Sequence, residues 1–206
     1  MRGTFSPSME GIVVNSHPRT SSFATARVRS GASSLLRLYV IRGLIAILWA
    51  VGFATVLDSL AAGTIILLVV YPLIDAVAVF IDFRDRSGMP GRGLQLFNIA
   101  VSTLAAVALA IAGNIDVPSV LLVFGGWAIV SGVAQLVAAL HRHRPEMGRQ
   151  WSLLLAGALS VLAGGGFGVT ALGDDPRLNA IVMYAGAGGA FFVIQAGLLY
   201  WRLRRR

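Results

Sequence analysis

The chain has 206 residues, of which 56% are hydrophobic and 13% charged, and its formal net charge is +8. Soluble domains have about a quarter of their residues charged, so this composition excludes an ordinary water-soluble globule and indicates an integral membrane protein. The absence of Cys excludes disulfides, thiolate metal sites and cysteine nucleophiles. All 17 basic residues are Arg, which also excludes lysine Schiff bases and a Walker-type phosphate loop.

Residues 1–35 differ in composition from the rest of the chain. They are rich in Ser, Thr, Gly and Arg, with Glu10 as their one acid and no sustained apolar period. This composition predicts a disordered basic tail. It also resembles an organellar transit peptide, whereas a secretory signal is not indicated, because the first long apolar run starts near Leu38.

Six apolar runs follow the tail, each long enough to cross a bilayer as a helix. They have 19 to 23 residues, and a helix rising 1.5 Å per residue needs about 20 to cross ~30 Å of hydrocarbon. The fold class predicted is therefore an all-α integral membrane protein with six transmembrane helices. The runs cover residues 38–57, 61–81, 94–112, 117–139, 151–172 and 181–201.

The distribution of Arg predicts the orientation of these helices. Three short turns, at residues 58–60, 113–116 and 173–180, are acidic and contain Arg177 as their only base. The other 16 Arg lie in the tail and the start of the first run, in the two remaining loops and at the end of the chain, which has Arg202 and the basic end, residues 204–206. Since cytoplasmic loops carry an excess of Arg and Lys, both termini are predicted to be cytoplasmic.

The six runs also fall into three pairs, over residues 36–90, 91–147 and 148–203, which predict three parallel helical-hairpin repeats. The second run of each pair carries an aromatic residue followed four positions later by a polar or small one. The first run carries a row of small residues at every fourth position, typical of helix-packing faces in membranes. The rows are Ala46, Ala50, Ala54, Ser102, Ala106, Ala110, Ser160, Gly164 and Gly168, and the aromatic pairs are Tyr71/Asp75, Trp127/Ser131 and Tyr184/Gly188.

Four segments resemble the HdeD family of small bacterial inner-membrane proteins with short repeats, over about residues 36–203. The resemblance implies a multi-pass protein of the bacterial cytoplasmic membrane that supports acid or envelope stress tolerance. Members of that family tend to have Asp-Gly where this chain has Asp58-Ser59 and Asp75-Ala76. The segments are Arg42–Ile47, Tyr71–Ala76, Gly126–Gly132 and Trp151–Gly157.

Asp75 is the one acid well inside an apolar run. An Asp at the centre of a membrane helix costs about 2.5 to 3.5 kcal/mol, so it needs a partner or water. The first hairpin turns between Asp58 and Ser59, midway between positions 42 and 75. Arg42 and Asp75 are therefore expected at equal depth, as an intramembrane ion pair. Two roles stay open, a structural pair that fixes the hairpin and a proton-responsive carboxylate.

The remaining polar residues in the runs, chiefly Gln135, Gln195 and Ser131, predict interhelical hydrogen bonds, with the lining of a small polar pore as the alternative. No pattern indicates a catalytic residue, a metal site or a cofactor. The partners expected are the bilayer, with anionic headgroups at its cytoplasmic face, and either a second copy or another membrane protein, but no nucleic acid. The function predicted is non-enzymatic, and the alternative is a small-solute or proton transporter or channel that uses Asp75.

Overall fold

The computed structural model describes residues 19–85, 92–141 and 151–205, and these form six helices joined by short connections. Each helix contains a window long and apolar enough to cross a membrane, which confirms the all-helical prediction of six spanning segments. The helices are α1 Arg19–Ala54, α2 Ala62–Asp85, α3 Arg92–Ala112, α4 Val117–His141, α5 Trp151–Ala171 and α6 Asn179–Arg204.

Helix α1 begins at Arg19, ahead of the predicted boundary at residue 36, so residues 19–35 of the predicted tail are part of this helix. No Pro follows Pro18 in this stretch, and adding a residue to an existing helix costs far less than starting a new one. The apolar window of α1 covers Leu36–Ala54. The rest of the tail, residues 1–18, lies outside the described residues, as do the basic segments 86–91 and 142–150.

The helices form a ring in chain order that closes between α6 and α1. Contacts are most extensive between α4 and α5, between α1 and α6, and between α2 and α3, whereas α1 with α2 and α5 with α6 touch little. We call the side of the ring with the turns 55–61, 113–116 and 172–178 the turn side, and the opposite side, where α6 ends, the terminus side.

Glycines permit the two closest helix crossings. A Cβ at Gly132 would lie 2.7 Å from the carbonyl oxygen of Gly157, and the reciprocal distance is the same. At the crossing of α1 and α6, a Cβ at Gly189 would lie 2.8 Å from the carbonyl oxygen of Gly43. Real Cβ atoms do not approach backbone so closely, so only glycine lets the helices pack in lipid at this distance.

The rows of small residues lie largely inside the bundle. Most of their members are buried or partly buried, but Ala54 is exposed, so the row on α1 does not continue to the end of the helix. The buried members are Ala50, Ser102, Ala106, Ser160 and Gly164, and the partly buried ones are Ala46, Ala110 and Gly168.

A cluster of aromatic rings fills the middle of the bundle and its turn side. Phe124 lies at its centre, with ring centroids 5.3 Å from Trp127, 5.4 Å from Phe167 and 5.8 Å from Tyr184. On α1, the ring of Trp49 lies 4.4 Å from that of Tyr71, with the two planes tilted by 47°. Edge-to-face and offset contacts of this kind add to the stabilisation from burial alone, so this half of the ring is a closed core.

Candidate functional site

On the terminus side of the aromatic cluster, the ring encloses a cavity of about 310 Å³. Five helices line it, and its wall includes the polar side chains of Asp75, Ser131 and Gln135 together with Arg42. The rings of Tyr71, Trp127 and Tyr184 also line the cavity and belong to the aromatic cluster, so they form its floor. Ligand sites in proteins are mostly apolar concavities with a few placed polar groups, and this cavity has that character.

Asp75 on α2 joins three helices through its two carboxylate oxygens. Arg42 on α1 donates from Nη2 to Oδ1 at 2.5 Å, while Asn98 and Ser102 on α3 donate to Oδ2 at 2.8 and 3.1 Å. The side chains of Arg42 and Asp75 are 26% and 17% exposed. Three donors and one positive charge offset the cost of holding a carboxylate at this depth.

A second hydrogen-bond chain leads from this network to α4. Trp127 donates from its indole Nε1 to the Ser102 hydroxyl at 3.1 Å, and that hydroxyl donates on to Asp75. Ser102 is fully buried, so both its donor and its acceptor capacity are used. The floor of the cavity is in this way tied to the carboxylate in its wall.

The third pair of helices carries a similar link. Ser160 on α5 donates to the carbonyl oxygen of Ala128 at 2.9 Å, and its oxygen lies 2.8 Å from the hydroxyl of Tyr184 on α6. A serine hydroxyl has one hydrogen, so Tyr184 is the donor in the second bond. An aromatic residue of the second helix thus donates to a serine of the first helix in two pairs, Trp127 to Ser102 and Tyr184 to Ser160.

Ser131 differs from all these groups. Its side chain lines the cavity and is 5% exposed, yet its hydroxyl has no hydrogen-bond partner among the described residues. A buried hydroxyl without a partner costs about 1 to 3 kcal/mol. One turn further along α4, the amide of Gln135 lies in the same wall.

The structure brings most of the candidate residues together. Arg42, Asp75, Ser131 and Gln135 line one cavity, whereas Gln195 lies on α6 outside its lining. All three aromatic pairs identified from the sequence also line it, with Ala46 and Ser160 from the small rows. The sequence did not single out Asn98 as a partner of Asp75, because nothing in the spacing along the chain tells which helix packs beside α2.

Chemically, the site offers a neutral wall and hydrogen-bonding groups over an aromatic floor. Three donors occupy three of the about four lone-pair sites of the Asp75 carboxylate. Arg42 also lies over the ring of Phe192, with its guanidinium carbon 5.3 Å from the ring centroid, a cation–π contact that holds it at the wall. The arrangement is suited to binding a small molecule.

Known proteins give one point of comparison. No curated protein and no solved structure matches the chain. The six apolar helices indicate a multi-pass membrane protein, and residues 117–167 match the model of a family described as a short repeat of unknown function, DUF308. The chain is therefore similar to that short-repeat family over α4 and most of α5.

Proposed function

We propose that the chain is a non-enzymatic, multi-pass membrane protein that binds a small molecule in the cavity beside Arg42 and Asp75. The observation that carries the proposal is the buried, unpartnered hydroxyl of Ser131 in the wall of a 310 Å³ cavity. An unpaired buried polar group is costly, and a ligand that bonds to it would remove the cost. The proposal needs no metal, cofactor or catalytic residue.

The bundle is proposed to consist of three parallel helical-hairpin repeats. Equivalent positions support this arrangement: the bonds from Trp127 to Ser102 and from Tyr184 to Ser160 join matching places in the second and third pairs. In the first pair, the matching residues are Tyr71 and Ala46, and Ala46 has no hydroxyl. Parallel repeats meeting around one axis would bring three equivalent walls to a single cavity.

The setting proposed is the bacterial cytoplasmic membrane, with both termini in the cytoplasm. The concentration of Arg on the terminus side supports this orientation, and the same Arg would contact anionic headgroups. The exposed aromatic side chains of Trp151, Tyr200 and Trp201 lie near that side, as interfacial anchors do. The cavity would then face the cytoplasmic half of the bilayer.

The HdeD-like resemblance supports a role in acid or envelope stress tolerance. If the role depends on the cavity, then a variant with a filled cavity, Ala46→Phe, should reduce survival of cells at low pH as far as deletion of the gene does. Leu162→Phe, at a position 72% exposed on α5, is the control and should behave as the wild type. Equal survival at low pH of cells with the wild-type gene and cells with the deletion would refute the stress role.

The alternative is a proton or small-solute pathway through Asp75. The position of this carboxylate in the cavity wall favours it, whereas its three bound donors and the closed aromatic core on the turn side disfavour it. Reconstituted protein in liposomes under a pH gradient distinguishes the two functions. If the protein only binds a ligand, liposomes that contain it should show the same proton flux as empty liposomes. A higher proton flux that disappears in Asp75→Asn would establish transport.

A further inference from the structure

We infer that the cavity takes an uncharged, single-chain amphiphile from the bilayer, through an opening between α5 and α6. The inference rests on the proposed function, because it names the ligand class of that cavity and the route into it. Four features carry it: an open seam between these two helices, a wall without net charge, two hydrogen-bonding side chains that face the cavity, and its size.

The seam between α5 and α6 has small residues where the matching seam of the first helix pair, between α1 and α2, has charged ones. Between α1 and α2, Arg42 and Asp75 form a salt bridge across the seam. The repeat offsets place Ala156 and Gly188 at the matching positions of the third pair, and both line the cavity. A Cβ at Gly188 would meet nothing within 4 Å, so the space beside it is empty.

The same seam reaches the outer surface of the bundle. Leu159 on α5 and Ala187 on α6 line the cavity and are also exposed, and Ala187 further belongs to a groove on the outer face of α1 and α6. Helices α5 and α6 make few contacts with each other. Both helices are long and apolar enough to cross the bilayer, so an opening between them at this level leads to the acyl chains of the lipids.

The cavity wall carries no net charge. Among the described residues that line it, Arg42 and Asp75 are the ones charged at neutral pH, and they neutralise each other at 2.5 Å. A charged ligand would enter this environment without a counter-charge and pay the full cost of leaving water. The ligand's head is therefore uncharged.

Two side chains are free to recognise a polar head. The hydroxyl of Ser131 has no partner among the described residues, and the amide of Gln135 lines the cavity one turn away. Both groups donate and accept hydrogen bonds, so they suit a hydroxyl or a carbonyl. Between them and the seam, the wall is formed by apolar side chains such as Leu159 and Phe191, which suit an alkyl chain.

The volume limits the size of the molecule. A cavity of about 310 Å³ lies at the lower end of the range of ligand pockets, about 300 to 1,000 Å³. It can hold a small head and the first part of one chain, with the remainder passing between Leu159 and Ala187 into the lipid. A phospholipid with two chains and a charged headgroup does not fit these limits.

The test uses the full chain in nanodiscs of zwitterionic phosphatidylcholine with three probes that share a dodecyl-length chain. The probes are radiolabelled 1-monododecanoylglycerol, dodecanoate and dodecyltrimethylammonium, which carry an uncharged, a negative and a positive head. We expect saturable binding of the glycerol ester at one site per chain, with both charged probes competing at least about tenfold more weakly. Tighter binding of either charged probe would overturn the ligand class and leave the proposed binding function standing.

Two variants test the recognition and the route. Ser131→Ala should weaken binding of the glycerol ester about five- to tenfold, as loss of a hydrogen bond predicts, without lowering the melting temperature of the ligand-free protein. Gly188→Leu should fill the seam and abolish binding, whereas Gly197→Leu, also a position where a Cβ meets nothing within 4 Å, should bind as the wild type. Unchanged binding in Gly188→Leu would refute the route. Binding by none of the three probes would count against the proposed function itself.

Discussion

Asp75 shows how a single residue can organise the interior of a membrane bundle. Its carboxylate accepts bonds from Arg42, Asn98 and Ser102, and so connects α2 to α1 and to α3. Helices α1 and α2 otherwise make few contacts, although Trp49 also donates to the carbonyl oxygen of Leu67 at 2.9 Å. The ion pair therefore joins two neighbours that packing alone holds weakly.

Removing Asp75 should destabilise the protein, and by an amount that depends on whether Arg42 is present. In Asp75→Ala, the guanidinium of Arg42 loses its anion, and two donors on α3 lose their acceptor. We expect the free energy of unfolding to fall by about 3 kcal/mol, the lower end for a broken buried pair, because both side chains keep some exposure. Reversible unfolding in mixed detergent micelles measures this change.

The control is a double-mutant cycle with Arg42→Ala. If the two residues interact, the double variant should be at least about 1 kcal/mol more stable than the sum of the single effects predicts. Additive losses would mean that Arg42 and Asp75 contribute independently, and the ion pair would then have no role in stability.

At the scale of the helices, close packing depends on glycines that face a backbone. Gly132 on α4 faces the carbonyl oxygen of Gly157 on α5. We expect Gly132→Ala to force the two helices apart and to lower the free energy of unfolding by about 1 to 3 kcal/mol, as overpacking does. Gly165→Ala is the matched control, since a Cβ there meets nothing within 4 Å.

The control should be neutral or stabilising, because Ala is the better helix former by about 1 kcal/mol. The same micelle unfolding assay compares the two variants. Equal losses in both would indicate that glycine serves helix flexibility in this pair rather than the crossing of α4 and α5.

The start of α4 provides a pH-dependent element. Asp116 precedes Val117, and one of its carboxylate oxygens accepts the backbone N–H of Ser119 at 2.8 Å, a helix N-cap. Hydrogen bonds from Ser119 hold the pKa of Asp116 below its usual range. A lowered folded-state pKa means that the cap contributes stability at neutral pH and loses it as the pH falls through that pKa.

Acidification should therefore loosen the first turn of α4, and Asp116→Asn should remove the pH dependence while keeping the cap. Hydrogen exchange of the amides at residues 119–121, followed from pH 7 to low pH, measures the effect. A variant with the same pH profile as the wild type would show that another group is responsible.

At the scale of the whole molecule, the sequence predicts the helices better than it predicts their neighbours. Six apolar runs of spanning length determine six helices, because the backbone in lipid must satisfy its own hydrogen bonds. The tight contacts between α4 and α5 and between α1 and α6 were not predicted, since a hairpin repeat suggests that partners within a pair pack most closely. Nothing in the sequence of a single chain indicates that glycines such as Gly43 and Gly189 face each other across two helices.

The residues of the site could be predicted in part. Asp75 and Arg42 stand out because charge is rare in apolar runs, and the symmetric position of the turn pairs them. The unpartnered state of Ser131 could not be predicted, because it depends on which side chains of neighbouring helices lie within reach of its hydroxyl. Which side chains meet at the centre of a ring is a property of the packed bundle.

The distribution of Arg also predicts the orientation of the whole ring. A cysteine at an exposed turn residue, Ser59→Cys, should react with an impermeant maleimide on intact cells, while Arg205→Cys should react only after lysis. The chain has no native Cys, so each variant reports a single position. Labelling in the reverse pattern would place the cavity in the outer half of the bilayer.

The most direct test of the account is whether the cavity is a space that small molecules enter. Ser131→Cys should react with N-ethylmaleimide in membranes, because the side chain lines the cavity. Ala128→Cys, on the same helix at a fully buried position outside that lining, should stay unreactive. Fast labelling of Ser131→Cys alone, slowed by bound ligand, is the predicted result. Equal, slow labelling of both variants would contradict the account, because the interior of the ring would then be closed.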